Sequence, residues 1–312
     1  MKALISRLSA LAAACVMILV MSGCEHKELC YDHGHSAKVE IRIVWDQHPD
    51  ADPNTMVVNF FTLDGKHVAC REFSSRDGGV IKLEAGEYMI LFHNGEMESV
   101  AEVVDDFDSY RLNTTEEALL APMSRYLEAP PRPSVSSGEP VRSPAETVWA
   151  GKHDYVKIEQ GADNQLIELH PREVTARYSV EVINIKNLRD NLDISAALSG
   201  LSESMNISRC MASGVPVTVP FSVRRRDDTS LEAEFVTFGH CPDDADVPHI
   251  MSIYTSSKKY FNFDVTGQVH NAPDERNVHI IVDGLTLPED KDGLSPTVND
   301  WDEVEDIVIN MQ

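Results

Sequence analysis

Short stretches of alternating apolar and polar residues are the feature that most restricts what this chain can fold into. The clearest stretch begins at Lys38 and places four apolar residues at every second position: Val39, Ile41, Ile43 and Trp45. Because successive side chains of a β-strand point to opposite faces of the sheet, this pattern predicts a strand with one buried face. The chain is therefore expected to build its core mainly from sheets.

Turn residues separate the strands that follow. The stretch 56–63 ends at Asp64-Gly65, a strong hairpin signal, and 66–73 is expected to return antiparallel to it. Asp77-Gly78-Gly79 and Ala85-Gly86 mark two further turns. Short strands at this spacing are typical of a β-sandwich or barrel and not of a parallel sheet with crossover helices.

The second half of the chain is predicted to form a separate, nearly all-β unit. The alternation resumes at Val174 and continues to Val182. Pro216 and Pro220 fall within one later strand, and residues without an N–H group are tolerated mainly at a sheet edge. The further strand candidates are 193–198, 215–223, 231–238, 250–254, 260–265, 278–282 and 303–311.

The region between the two halves has a different composition. Residues 113–121 combine capping threonines, two glutamates and Ala-Leu-Leu, which predicts one short helix ended by Pro122. Residues 129–145 are rich in proline and serine and are not expected to pack, so they form either a surface loop or a linker. The predicted domains are an N-terminal β-sandwich, 38–160, which includes this loop, and a C-terminal β-sandwich, 161–312.

The N-terminal residues have the pattern of an export signal. A basic start precedes the apolar run Leu8–Val20, which is short for a membrane span but suits a signal peptide over residues 1–23. Met21-Ser22-Gly23-Cys24 resembles the bacterial lipobox, which implies cleavage and acylation, palmitate included, at Cys24. Residues 24–37 are then expected to be a polar tether between a lipid anchor and the first strand.

Charge and cysteine content limit the possible partners and covalent links. The formal net charge of -24 disfavours nucleic acids, since binding to phosphates requires Lys and Arg. Beyond the signal and Cys24, four cysteines remain, and they permit three pairings that the sequence does not distinguish. Cys30–Cys70 and Cys210–Cys241 would each stay within one half, whereas buried free thiols need no partner.

The sequence contains no strong catalytic or cofactor motif. It has no H-E-x-x-H, Walker-type or G-x-G-x-x-G sequence, and 200–204 begins like a nucleophile elbow around Ser202 but lacks the closing glycine. His26, His33 and His35 with Cys30 form a metal-like cluster, yet a flexible tether does not hold ligand geometry. A non-enzyme without metal or cofactor is predicted.

Several motifs spread over the chain carry a resemblance to one group of proteins. They are Cys24 with its lipobox, Trp45 followed by Pro49, Leu83–Tyr88, His93-Asn94, Ala197–Leu201, Phe238-Gly239, Asp264–Thr266 and a closing strand with Trp301. In these the chain resembles Bacteroidales lipoproteins of unknown function related to FimB-type fimbrial anchor and fimbrillin proteins. The resemblance implies two tandem transthyretin-like β-sandwiches, lipid anchoring in the outer membrane with possible surface exposure, and a role in fimbrial assembly, anchoring or adhesion.

Strand exchange with fimbrial subunits is the mechanism that the resemblance implies. Ile307, Ile309 and Met311 alternate with polar or opposite-facing residues near the end of the chain and are the candidates for the exchanged strand. The alternative is that this strand pairs within its own domain.

The alternative hypothesis is a glycan-binding surface lipoprotein that stacks sugars on exposed aromatic residues. A hydrolase is the third hypothesis. Trp45 and Tyr88 are in phase with the apolar faces of their strands, which predicts core packing for them instead.

Overall fold

The structure is a computed structural model that describes residues 36–161, 163–242, 247–289, 301 and 309–310. Cys24, Cys30 and the tether histidines lie outside the described residues, as do Ile307 and Met311. β-Strands dominate the described chain, as predicted. Strands of the first half are β1 (Ser36–Ile43), β2 (Met56–Phe61), β3 (His67–Phe73), β4 (Gly78–Glu84), β5 (Gly86–Asn94), β6 (Val100–Val103), β7 (Arg111–Thr114), β8 (Trp149–Ile158), β9 (Asp163–Leu169) and β10 (Arg172–Glu173).

The second half begins at β11, and most of its strands lie where alternation predicts them. One short α-helix and one 3₁₀ turn complete the described elements. The strands are β11 (Ala176–Ile183), β12 (Ile194–Ser202), β13 (Ser204–Asn206), β14 (Met211–Ala212), β15 (Pro216–Ser222), β16 (Arg224–Asp227), β17 (Ser230–Thr237), β18 (Ile250–Thr255), β19 (Tyr260–Asp264), β20 (Asn277–Asp283) and β21 (Ile309–Asn310); the helix is α1 (Thr266–His270) and the turn is η1 (Ala121–Met123).

The N-terminal sandwich packs a three-stranded sheet, β4-β1-β9, on a five-stranded sheet, β10-β8-β5-β2-β3. The apolar face of β1 supplies Val39 and Ile41 to the core, opposite Phe60 and Ile90, and all four are buried. Complete burial of such a side chain stabilises the fold by about 2 kcal/mol. β9 and β10 pair with β1 and β8, so the strands of this sandwich continue past residue 160, where the sequence placed the boundary.

The C-terminal sandwich packs β16-β17-β11-β20 on β15-β12-β18-β19-β21. Its core contains an aromatic stack: Phe235 stacks on Phe221 at 4.1 Å and on Tyr178 at 5.4 Å between ring centroids. β15 is an edge strand, which confirms the position predicted from Pro216 and Pro220. Together the two units confirm an all-β protein of β-sandwich domains.

A third feature, which local sequence patterns do not predict, is a sheet that joins the two halves. Its order is β14-β13-β7-β6, so β6 and β7 of the first half pair with β13 and β14 of the second. Tyr110, which precedes β7, and Leu112, which lies on it, are fully buried. They pack beneath the joining sheet with Phe61, Met205 and other residues from both halves. The two sandwiches therefore share one apolar interface.

The predicted helix over 113–121 is wrong. Thr114 ends strand β7, which is held between β6 and β13, and the chain then runs irregularly to η1 with Pro122 inside it. Strand pairing overrides the local helix preference here. The described α-helix, α1, lies instead in the second half, where no helix was predicted. No helix in the described part of the chain is long and apolar enough to span a membrane.

Candidate functional site

One predicted site residue, Ile309, lies at the edge of the C-terminal sheet, where β21 pairs with β19. Ile309 pairs with Phe263 and Asn310 with Asp264, in parallel. This ladder has two residue pairs, whereas the β18–β19 ladder next to it has five. The described backbone at Ile309 and Asn310 thus pairs with its own domain, while Ile307 and Met311 lie outside the described residues.

An aromatic layer covers the outer face of this sheet beside the edge. Tyr254 of β18 stacks on Tyr260 of β19 with centroids 6.2 Å apart, and Trp301 meets Tyr254 edge-on at 5.9 Å. Leu119 and Leu120 are buried against the same face. The short C-terminal strand therefore lies next to a well-packed surface and not on an exposed one.

Residues 115–146, here called the strap, run from β7 across this sheet before the chain returns to β8. The strap contains the Pro/Ser-rich stretch 129–145, for which no packing was predicted. Its Val141 forms a parallel bridge with Thr218 of β15, and Ser136 and Ala145 are buried. The expectation that this stretch does not pack is therefore wrong.

Hydrogen bonds help to hold the strap in place. The Glu139 carboxylate accepts bonds from Thr218 Oγ1 at 2.7 Å and from the Gly200 N–H at 3.2 Å. Arg132 donates to Thr218 Oγ1 at 2.6 Å, and Arg142 donates to Glu203 at 2.5 Å. Burial raises the pKa of Glu139, a cost that these bonds partly offset. Composition alone misses such long-range polar contacts.

The described cysteines are free thiols. Cys70 is exposed, Cys210 is partly buried and Cys241 is buried, so Cys210 and Cys241 do not form the disulfide considered from the sequence. Burial raises the pKa of the Cys241 thiol to about 11, which keeps it protonated at neutral pH. The arrangement gives no support for a thiolate nucleophile at this position.

The other residues singled out from the sequence have structural roles where they are described. Ser202 is buried, and its hydroxyl bonds to the carbonyls of Ser204 and Ser213. Trp45 and Tyr88 are buried, which confirms their predicted core packing. Trp149 lies edge-on to Trp45 at 5.8 Å. Trp45 and Tyr88 are therefore not available to stack on a sugar, whereas Trp149 and Trp301 are partly exposed.

A partly buried polar network, for which the sequence gives no prediction, lies between the sandwich and the joining sheet. One carboxylate oxygen of Glu102 accepts bonds from Asn59 Nδ2 at 2.8 Å, from the Tyr110 hydroxyl, and from His93 Nε2 at 3.1 Å. His93 Nδ1 lies 2.6 Å from the carbonyl of Asn94. The Tyr110 hydroxyl donates to Glu102, so the Glu102 carboxylate, Tyr110, Asn59 and the His93 ring form one hydrogen-bonded network.

The electrostatics of the network follow from these hydrogen bonds. Burial disfavours the charged form of Glu102, but hydrogen bonds from His93, Tyr110 and Asn59 outweigh it and lower the pKa to about 2. Burial, together with the Glu102 charge, raises the pKa of Tyr110. His93 and Glu102 lie on different strands, so their contact has no local signal in the sequence.

Comparison with known proteins identifies relatives and similar folds. A proposed fimbrium anchoring subunit of Bacteroides ovatus, Fim4B, is 23% identical over 223 residues, which cover 71% of this chain and 62% of that protein. The aligned part thus spans less than two thirds of that relative.

Solved structures share the fold. The crystal structure of a proposed adhesin from Bacteroides ovatus has a TM-score of 0.61 at 18% identity, covering 87% of this chain and 99% of that one. Proposed polysaccharide binding proteins from Bacteroides thetaiotaomicron give a TM-score of 0.50 at 11% identity, covering 80% and 91%. At these identities the likeness establishes the fold alone.

The family follows from the sequence match. The profile of the family described as "Domain of unknown function (DUF5119)" matches residues 23–222, more than half of the chain. The protein therefore belongs to the DUF5119 family.

Proposed function

We propose that this protein is a structural subunit of the cell envelope that anchors or joins a fimbria or another adhesive structure. The relative with the proposed fimbrium-anchoring role supports this proposal, and so does the fold shared with a proposed adhesin. The role is non-catalytic: Ser202, the residue nearest to a nucleophile motif, is buried and bonded to backbone carbonyls.

Lipidation at Cys24 attaches the protein to the outer membrane. An acylated cysteine followed by a polar tether places the folded domains beside the membrane. Replacing Cys24 with alanine is expected to leave a soluble or unprocessed protein in cell fractions. Firm membrane association of the Cys24→Ala protein would contradict this part of the proposal.

Assembly proceeds by strand addition at β19, and the short ladder of β21 is the observation that carries this step. In the described part of the chain two residue pairs join β21 to β19, and exchange of these pairs for a partner strand would allow a longer ladder to form. The aromatic layer of Tyr254, Tyr260 and Trp301 would stay in place beside the new strand and exclude water from it.

Deletion of residues 306–312 tests strand addition. The truncated protein is expected to melt cooperatively, within about 3 °C of the wild type, because few contacts are removed. Its co-purification with a coexpressed fimbrillin subunit is expected to fall at least tenfold. Ile281→Asp, an exposed position on edge strand β20 of the opposite sheet, is the matched control and should retain co-purification.

Two results would overturn this mechanism. If the deletion unfolds the C-terminal sandwich, the strand belongs to the core of its own domain. If the deletion melts normally and still co-purifies like the wild type, assembly does not use this terminus. The Ile281→Asp control separates a specific loss from a general effect of altering a sheet edge.

A further inference from the structure

Three histidines from separate parts of the C-terminal half meet at one end of its sandwich. His240 follows β17, His249 precedes β18 and His270 ends helix α1. Their ring centroids are 4.9 Å apart for His249 and His270, 5.5 Å for His240 and His270, and 5.7 Å for His240 and His249. The Nε2 atoms of His249 and His270 lie 2.9 Å apart.

The fold holds the central ring of this group, His249, in a fixed place. A side chain at Gly200 would put its Cβ 2.6 Å from His249 Nδ1, so only glycine leaves room for the ring. The His249 N–H donates to Thr266 Oγ1 at 2.8 Å, and the His249 carbonyl accepts from the Val265 N–H at 3.0 Å. These bonds tie His249 to the start of α1, the helix that ends in His270.

The hydrogen bonds also define which nitrogen of His249 faces the group. Nδ1 lies 3.0 Å from the Ser199 carbonyl and can only donate to it, so Nε2 carries the lone pair that points at His270. Metal-binding histidines commonly donate their second nitrogen to a backbone carbonyl in this way.

From this arrangement we propose that His240, His249 and His270 bind one divalent transition-metal ion, for which Zn²⁺ is the probe. Tetrahedral coordination with Zn–N bonds of about 2.0–2.1 Å places bound imidazole centroids about 5 Å apart and neighbouring ligand nitrogens about 3.3 Å apart. The three centroid distances match this geometry. Three neutral imidazoles suit zinc, copper and nickel, and leave a fourth position for water or a partner's side chain.

Small side-chain movements complete the site. As they stand, no three His, Cys, Asp or Glu side chains of the described residues are placed to hold a metal ion. The two Nε2 atoms must separate by about 0.4 Å, from hydrogen-bond distance to ligand spacing. His240 and His270 are only partly buried.

The group is also reachable from solvent. His240 lines a cleft of about 310 Å³ between the joining sheet and the C-terminal sandwich, together with Met205, Cys210 and Phe238. The cleft gives an ion a path to His240.

Zinc titration of the mature chain tests the proposal, provided the tether ligands are removed first. The background variant therefore carries His26→Ala, Cys30→Ser, His33→Ala and His35→Ala. Isothermal titration calorimetry at pH 7.5 is expected to give one Zn²⁺ per chain. At an excess of 100-fold over Kd, the ion should raise the melting temperature by roughly 5 °C.

Single replacements then assign the ligands. His270→Ala or His240→Ala in this background should weaken zinc binding by at least about 100-fold. His279→Ala, an exposed histidine on β20 of the same sandwich, is the matched control and should bind zinc normally. Co²⁺ substitution should give the visible absorption of a tetrahedral site, which His270→Ala should abolish.

The outcomes are decisive either way. Absence of zinc binding in the tether-substituted background refutes the site, and so does binding that His270→Ala and His240→Ala leave unchanged. Melting of each metal-free variant identifies any loss that reflects unfolding. Because two partly exposed ligands are tested separately, one folded variant is enough to decide.

Discussion

Replacing Glu102 with glutamine is expected to lower the free energy of unfolding by about 2 kcal/mol at pH 7. The carboxylate is held by His93, Asn59 and Tyr110, and its pKa falls from 4.5 to about 2. That shift corresponds to about 3 kcal/mol, and solvent screening reduces it because the side chain is 32% exposed. The glutamine amide can still accept one bond but replaces the charged acceptor shared by His93, Asn59 and Tyr110 with a neutral one.

The pH dependence of this effect has a definite sign. The folded-state pKa of Glu102 lies below its unfolded value, so the carboxylate stabilises the fold fully above pH 4.5 and loses its contribution as the pH falls towards 2. Urea denaturation of the wild type and Glu102→Gln should therefore give a smaller difference at pH 3 than at pH 7. Glu234→Gln, at an exposed position, should match the wild type at both pH values.

Two results would refute this reasoning. A Glu102→Gln protein as stable as the wild type at pH 7 would mean that desolvation cancels the hydrogen bonds of the carboxylate. A difference that stays constant between pH 7 and pH 3 would mean that the substitution acts through packing and not through charge.

Two further predictions concern the backbone of the C-terminal half and the strap. Gly200→Ala should destabilise the protein by about 3 kcal/mol, because φ is +79° and the new Cβ would meet the Pro248 carbonyl at 2.8 Å; Gly214→Ala, with open space around it, should change the melting temperature little. Limited proteolysis should leave residues 129–145 uncut under conditions that remove the N-terminal tether, because the strap is hydrogen-bonded to β15; early cleavage within 129–145, detected by mass spectrometry, would contradict its packing.

Local patterns predicted the strands well because each strand of a sandwich has one buried face. The alternation from Lys38 gave β1 with its core side chains, and the prolines at 216 and 220 gave an edge strand. Both signals depend only on residues next to one another in sequence. The same logic predicted the burial of Trp45 and Tyr88.

Features made by distant residues could not be predicted in this way. The pairing of β7 with β13 joins residues of opposite halves and replaces the helix that 113–121 suggested. The contacts of Glu139 with Thr218, and of His93 with Glu102, also cross between elements. The three histidines meet because α1 and the start of β18 are tied together, which no spacing in the sequence records.

The joining sheet gives the proposed anchoring role a physical basis. If Cys24 holds the N-terminus at the membrane and a partner strand binds β19, any pull on the fimbria passes between the two sandwiches. A flexible linker would transmit that pull while leaving the domains free to separate. Here the shared sheet and the strap oppose separation: ladder hydrogen bonds between β7 and β13 and the apolar contacts beneath them must break together before the halves can part. Such a shared sheet would let the two sandwiches carry tension together, as the proposed anchoring role requires.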